Sequence, residues 1–381
     1  MVPGPIEFEV EVLQALGAPT ASHVDPDFVD VFGEALALMR TVWRAPEGQP
    51  FVLAGSGTLA MEAVGANLIE PGDGVLVLST GVFGDRFEDL FSRYGARVTV
   101  VRSEIGYGVD WEKVEQELST GDYRLVTATH VDTSTAVRVD PRRLGDVARR
   151  HDVLAVLDGV CSVAGERIDQ DEWGLDAVFT ASQKAIGVPP GLALFVVSPR
   201  ALNRFLSRRT KVPNYYCDWA QWLPIMQAYQ QGKAAYFATP AVNHIKALRI
   251  ALRRIQDEGL DARFERHRRL GEACRSALTA LGLAIVPENE GEAANTLSAA
   301  WYPHGADAGT FLAAVREAGV VLAGGLHPKI APKYFRVGHM GATGPGELLA
   351  TIGAIERGLC ACGVGFEPGV GLRAAQRVYW S

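Results

Sequence analysis

From Phe51 to Val197 the chain repeats one pattern: a short apolar run, a turn, then a stretch with helical spacing. The apolar runs are Phe51-Ala54, Val75-Ser79, Arg97-Val101, Leu125-Thr129, Val153-Leu157, Ala177-Thr180 and Leu192-Val197. Helical patterns lie between most of them, at Thr58-Leu68, Arg86-Tyr94, Trp111-Leu118 and Pro141-His151. Two strands joined through a helix run parallel, and the helices then cover both faces of the sheet. The expectation is an α/β fold with a mostly parallel, seven-stranded sheet. Ligands of such sheets gather at the carboxyl ends of the strands. Gly55, Asp158 and Lys184 all fall at or just after such ends.

The segments on either side complete a two-domain plan. Residues 1–20 read as an extended N-terminal arm, because Pro3, Pro5 and Pro19 break helical patterns. Asp27 to Arg44 carries the spacing of an amphipathic helix. A long helical pattern over Ala241-Asp257 is interrupted at Gly259, and a second runs from Asp261 to Leu281. The boundary is placed there: a large domain over 21–258 and a smaller α+β C-terminal domain over 259–381. The small domain is expected to hold strands near Ala284-Val286, Thr296-Ala300, Val320-Leu322 and Phe335-Val337, with helices over Gly309-Ala318 and Gly346-Gly358.

Composition narrows the class. The 381 residues are 48% hydrophobic and 21% charged, as in an ordinary globular enzyme. Net charge is −7 and no basic stripe occurs, so nucleic acid is not an expected partner. No apolar run reaches membrane-spanning length, and Met1-Val2-Pro3-Gly4-Pro5 is not a basic-then-apolar leader, so no membrane partner is expected. The five cysteines are scattered and odd in number, which predicts no disulfide framework. Cys360-Ala361-Cys362 lacks distant partners for zinc, so no metal is expected. A reducing, cytoplasmic setting is the default.

Five strand-end segments, together with Tyr236-Thr239 and the Arg336 strand, carry the chemistry. Asp158 ends one apolar run and Lys184 lies just past another. Pyridoxal phosphate needs such a pair: an amine to hold its aldehyde as a Schiff base, and a carboxylate to keep its ring nitrogen protonated. The alternative is an aspartate capping a turn and a surface lysine. Gly55-Ser56-Gly57-Thr58 opens a helical pattern and offers free N–H groups to an anion, or simply an N-cap at Ser56 or Thr58. It is neither a dinucleotide fingerprint nor a Walker A loop. In Gly81-Val82-Phe83-Gly84, Phe83 either lies on a planar ligand or plugs the core. The hydroxyls of Thr129 to Thr135 reach a ligand or make turns. Tyr236 and Thr239 could reach a phosphate, of this subunit or of a neighbouring one, or make a helix start with Thr239 as N-cap and Pro240 as first residue of the long helix. Arg336, flanked by hydrophobes, suits a carboxylate, whether a protein side chain or an amino-acid substrate.

Together these residues resemble the class V branch of fold-type I pyridoxal phosphate enzymes, and within it the alanine–glyoxylate and serine–pyruvate aminotransferases. The resemblance runs from Pro3-Gly4-Pro5 to the Arg336 strand and includes Glu70-Pro71-Gly72-Asp73. It implies that Lys184 carries the cofactor as a Schiff base and moves the proton between Cα and C4′, and that Asp158 pairs with the ring nitrogen. It implies that Ser56, Gly57, Thr58 and Gln183 cradle the phosphate, Thr133 faces the phenolic oxygen, and Phe83 stacks on the ring. Tyr236 and Thr239 would serve the partner subunit's cofactor in a homodimer. Arg336 would clamp the substrate carboxylate with the Gly4 backbone nearby. The implied activity is ping-pong transamination between a small amino acid, alanine or serine, and a keto acid, glyoxylate or pyruvate. Pro213-Asn214-Tyr215-Tyr216-Cys217-Asp218-Trp219 departs from the family's pattern and is expected to border the entrance.

Three rivals stand beside this. A 2-aminoethylphosphonate or ureidoglycine–glyoxylate aminotransferase shares the fold. A cysteine desulfurase-like lyase needs a reactive cysteine on a mobile loop, for which Cys217 is the candidate. A noncatalytic doubly wound nucleotide binder is compatible with the Gly-Ser-Gly-Thr turn alone.

Overall fold

A computed structural model describes residues 1–381. Seven strands form one sheet: β1 Gln49–Ala54, β2 Gly74–Ser79, β3 Arg97–Arg102, β4 Leu125–Thr129, β5 Leu154–Asp158, β6 Ala177–Ala181 and β7 Leu192–Val197. Their order is β1-β7-β6-β5-β4-β2-β3. Only β7 runs against the rest. Every residue of β2, β4, β5, β6 and β7 is buried, which is why these strands read as continuous apolar runs with no alternation. The carboxyl ends of β1, β2, β4, β5 and β6 therefore open on the same edge. There Thr129 pairs with Asp158 across β4 and β5, and Asp158 with Phe179 across β5 and β6.

A second sheet is built from β8 Leu297–Trp301, β9 Ala323–Gly324 and β10 Tyr334–Gly338, with β10 in the centre and both pairings antiparallel. It packs with the helices Leu260–Ala280, Ala308–Glu317, Pro345–Ala361 and Val370–Tyr379 around a hydrophobic core of its own. A third apolar cluster, including Cys161, Ala185, Tyr334 and Met340, lies between the two. Gly259, at φ 81°, separates the helix Val242–Glu258 from the helix Leu260–Ala280.

Several local expectations are corrected. The arm is not extended throughout, since Val10–Leu16 is a helix. It lies between the prolines and rests on the helix Val242–Glu258, where Glu9 pairs with Arg254 at 2.6 Å. Seven residues do not hold a helix alone, so tertiary packing supplies what local sequence lacks. The long helix begins at Val242 with Ala241 as its cap, not at Thr239-Pro240. The Ile245 N–H makes its bond to the Ala241 carbonyl at 3.0 Å, which leaves Thr239 ahead of the first turn. The strand expected over Val320-Leu322 is displaced to Ala323–Gly324, and Ala284-Val286 reduces to one bridge, Ile285 to Ala300. The helices Pro199–Leu206, Trp219–Gln230 and Val370–Tyr379 were not anticipated from the sequence.

Candidate active site

Lys184 and Asp158 face one cavity of about 220 Å³ at the carboxyl edge of the large sheet. Lys184 is only 9% exposed and is the one lysine among the buried residues, so it is not a surface cation. Its Nζ donates to the carbonyl oxygen of Pro3. The arm crosses here because position 4 is glycine. A Cβ at Gly4 would stand 2.6 to 2.8 Å from Cδ, Nζ and Cε of Lys184, and φ there is 109°. The arm is tied at both ends: Gly338 N–H donates to the Met1 carbonyl (2.9 Å), and Ile6 N–H to that of Gln183 (3.3 Å).

Asp158 accepts from the Val160 N–H at 2.9 Å and the Thr129 hydroxyl at 3.3 Å. The first bond is the turn cap that the plainer reading anticipated. It does not exhaust the carboxylate, which is buried and makes no ion pair. Burial pushes its pKa up to about 7, and the nearby Asp132 carboxyl adds to this, against the Val160 N–H, the Thr129 hydroxyl and the Lys184 charge. A buried carboxylate in this state is suited to a cationic ring nitrogen.

Beside them the helix Gly57–Leu68 points its start into the cavity. Its first intrahelical bond is from Ala60 to the Ser56 carbonyl (3.0 Å), so the N–H groups ahead of it have no acceptor within the helix. The Ser56 side chain makes no cap bond. A Cβ at Gly57 would meet Val160 Cγ2 at 2.8 Å, so glycine lets this turn close on the wall of the cavity. Gln183, also lining it, carries a buried Oε1 with no hydrogen-bond partner. Open amides at a helix start together with exposed Ser56 and Thr58 hydroxyls suit a phosphate.

Phe83 lines the cavity half-buried and is not a core plug. Asp132 holds its loop, accepting from the N–H groups of Phe83 (2.9 Å), Gly84 (3.2 Å) and Ser134 (2.9 Å). Arg86 stacks its guanidinium 4.6 Å from the Phe83 ring centre. Thr133 lines the cavity, and its carbonyl accepts from Arg336 Nη1 at 3.2 Å. Arg336 Nε donates to the Gly324 carbonyl at 2.9 Å. Its bonds go to main-chain carbonyls and to no protein carboxylate, although it is partly buried.

The structure thus gathers Lys184, Asp158, Ser56, Gly57, Thr58, Phe83, Thr133, Gln183 and Gly4 around one space, with Arg336 bonded to its edge. Tyr236 and Thr239 are exposed and lie outside it. No residue of 213–219 lines it; Tyr216 donates to the Ala54 carbonyl at 3.3 Å, and Cys217 is buried. Sequence reasoning missed Met61, Arg86, Val131, Val160 and Cys161 as lining residues, and had Thr129 among its ligand-reaching hydroxyls. Thr129 carried a usable signal, because it ends the strand preceding the one that Asp158 ends. Cys161 carried none. The donor set fits pyridoxal phosphate: an amine, a carboxylate for a ring nitrogen, and open amides with an unpartnered Gln183 oxygen for a phosphate.

Comparisons with known proteins agree. The family described as Aminotransferase class-V matches residues 11–341. Alanine–glyoxylate aminotransferase 1 of Saccharomyces cerevisiae is 42% identical over 358 residues, covering 90% of this chain and 92% of the relative. The crystal structure of an alanine–glyoxylate aminotransferase from Nostoc superposes with a TM-score of 0.88 at 34% identity, covering 94% of each chain. That of a ureidoglycine–glyoxylate aminotransferase from Bacillus subtilis gives 0.92 at 28% identity, covering 100% of this chain and 97% of the other.

Proposed function

The chain belongs to the class-V aminotransferase family and is a pyridoxal phosphate-dependent aminotransferase; on that premise we propose that it transfers the amino group of alanine or serine to glyoxylate or pyruvate. The observation that carries the reading is one small cavity faced by the only buried lysine and by a buried carboxylate without a cation, with a carboxylate-free guanidinium at its edge.

Pyridoxal phosphate, when bound, supplies the electron sink that makes a donor's Cα proton removable. Asp158 holds the ring nitrogen in its protonated form, an ion pair that also relieves the cost of its own burial. Ser56, Gly57, Thr58 and Gln183 bind the phosphate. Phe83, on the loop held by Asp132, would stack on the bound ring. Arg336 orients the donor through its carboxylate, and Thr133 keeps the guanidinium in place. Lys184 would hold the cofactor through its amine, and the same amine would be the base that moves the donor's Cα proton. Because amino donor and keto acid use the same groups in turn, the kinetics are ping-pong.

Tyr236 and Thr239, exposed and not lining their own chain's cavity, act on the cofactor phosphate of a second copy in a homodimer. No helix is long and apolar enough to cross a membrane. All five cysteines are unpaired, which suits a cytoplasmic enzyme. The Cys217 candidate for a lyase finds no support, since burial pushes its thiol up to about 12 and it does not line the cavity; Cys161, which does, is buried in the turn after Asp158, and burial raises its thiol too.

A half-reaction screen tests the proposal. Alanine or serine should bleach the yellow holoenzyme, and glyoxylate or pyruvate should restore the colour. The likeness to a ureidoglycine–glyoxylate enzyme makes ureidoglycine the second donor of the screen. Bleaching by ureidoglycine alone would replace the proposed donor.

A further inference from the structure

Three of the groups assigned above adjoin three segments: Asp158 ends β5 just before its turn, Lys184 lies in the loop after β6, and Arg336 lies in β10 ahead of the turn that follows it. Their backbones meet at one charged cluster at the start of the helix Leu260–Ala280. Arg263, only 6% exposed, forks between two of them. Its Nε donates to the Ala164 carbonyl (2.8 Å) in the turn that follows Asp158. Its Nη2 donates to the carbonyl of Ala185 (2.8 Å), the residue next to Lys184. Its Nη1 pairs with Glu258 at 2.6 Å. Ala164 has φ 65°, which a residue with a Cβ rarely adopts, so its carbonyl points where the local chain does not favour and an outside donor holds it.

Glu258 also takes Arg266 Nε at 2.6 Å. Arg266 in turn donates to the carbonyls of Thr343 (2.7 Å) and Gly341 (3.0 Å), in the turn after β10. His267, fully buried, accepts the Gly341 N–H at Nε2 (3.0 Å). That bond puts the ring proton on Nδ1, which faces the Arg263 carbonyl at 2.8 Å. Burial, with Arg263 and Arg266 beside it, holds this imidazole well below its usual range, so the ring is neutral as the bonds require. None of these four side chains lines the cavity of Lys184 and Asp158.

We propose that Arg263, oriented by Glu258, is a positioning residue that sets the separation of Lys184 from Asp158 by bonding the chain beside each, and that Arg266 and His267 extend this clamp to the segment following Arg336. A planar fork is required, because an ammonium is a point charge and cannot hold two carbonyls and a carboxylate in fixed directions. The inference rests on the roles given to Lys184 and Asp158 above.

The test compares the holoenzyme with Arg263→Lys and with Glu258→Gln, which leaves Arg263 in place but removes its orienting charge. Borohydride trapping on Lys184, visible circular dichroism per bound cofactor, kcat and donor KM are measured for each. The expected result is trapping in all three, a weakened dichroic band in both variants, and kcat per bound cofactor lower by roughly 10- to 100-fold with donor KM changed far less. Variants that lose only bound cofactor or melting temperature, with kcat per cofactor and dichroism unchanged, would overturn the positioning role alone. Absence of trapping on Lys184 in the unaltered enzyme would overturn the underlying assignment and this clamp with it.

Discussion

Asp158 is the residue whose environment does most of the chemical work, and it carries a prediction of sign. Its carboxyl is raised from 3.8 to about 7 in the folded chain. Between those values the folded protein keeps a proton that the unfolded chain has lost. Its contribution to stability is therefore full below about pH 4 and is lost as the pH rises through 7. Asp158→Asn removes the ionisation, so the cofactor-free variant should be more stable than the parent at pH 8, by about 2–4 kcal/mol and with a higher melting temperature, and no more stable at pH 4. Turnover should fall by at least ~100-fold, because an amide cannot hold the ring nitrogen protonated. Melting curves at both pH values and steady-state rates check the two halves. Asp158 and Lys184 were legible as a pair because buried acid and amine at strand ends have few other uses. Arg86 and Cys161 were not, because what brings them to the cavity is packing rather than sequence spacing.

At the scale of elements, sequence and structure agree where burial is complete. The seven large-sheet strands lie within two residues of their expected limits; in five of them burial on both faces leaves no alternation to misread, and the half-exposed β3 is marked by its Val-Thr-Val-Val run. The agreement weakens where an element depends on its neighbours. Val10–Leu16 is a helix because it rests on another one, and Trp219–Gln230 forms despite Pro224 inside it. The arm gives a test of such dependence. In Gly4→Ala the added methyl falls on the flexible end of Lys184, and φ 109° is strained for alanine. The lysine, rather than the fold, should yield. Turnover should drop on the order of 100-fold with little change in melting temperature. An alanine variant of wild-type activity would show that the arm does not constrain the amine.

For the molecule as a whole, the cores of the large and small sheets meet at the apolar cluster that contains Cys161 and Ala185, and the cavity opens beside it. Two-sheet architecture was readable from the change of pattern after Gly259. Tyr236 and Thr239, exposed and outside the cavity, are proposed above to serve a second copy, and one chain alone holds no record of such a contact. Mixing subunits addresses them. Lys184→Ala and Tyr236→Phe/Thr239→Val proteins should each be inactive or nearly so. Unfolded and reassembled together in equal amounts, they should recover roughly one quarter of wild-type activity, since half the dimers are mixed and each mixed dimer has one intact site. No recovery would place both residues outside a shared site. The most direct measurement of the central claim is reduction of the holoenzyme with borohydride followed by peptide mass analysis. The account predicts one reduced cofactor adduct, on Lys184, and none in Lys184→Ala. An adduct on any other lysine, or full turnover by Lys184→Ala, would contradict it.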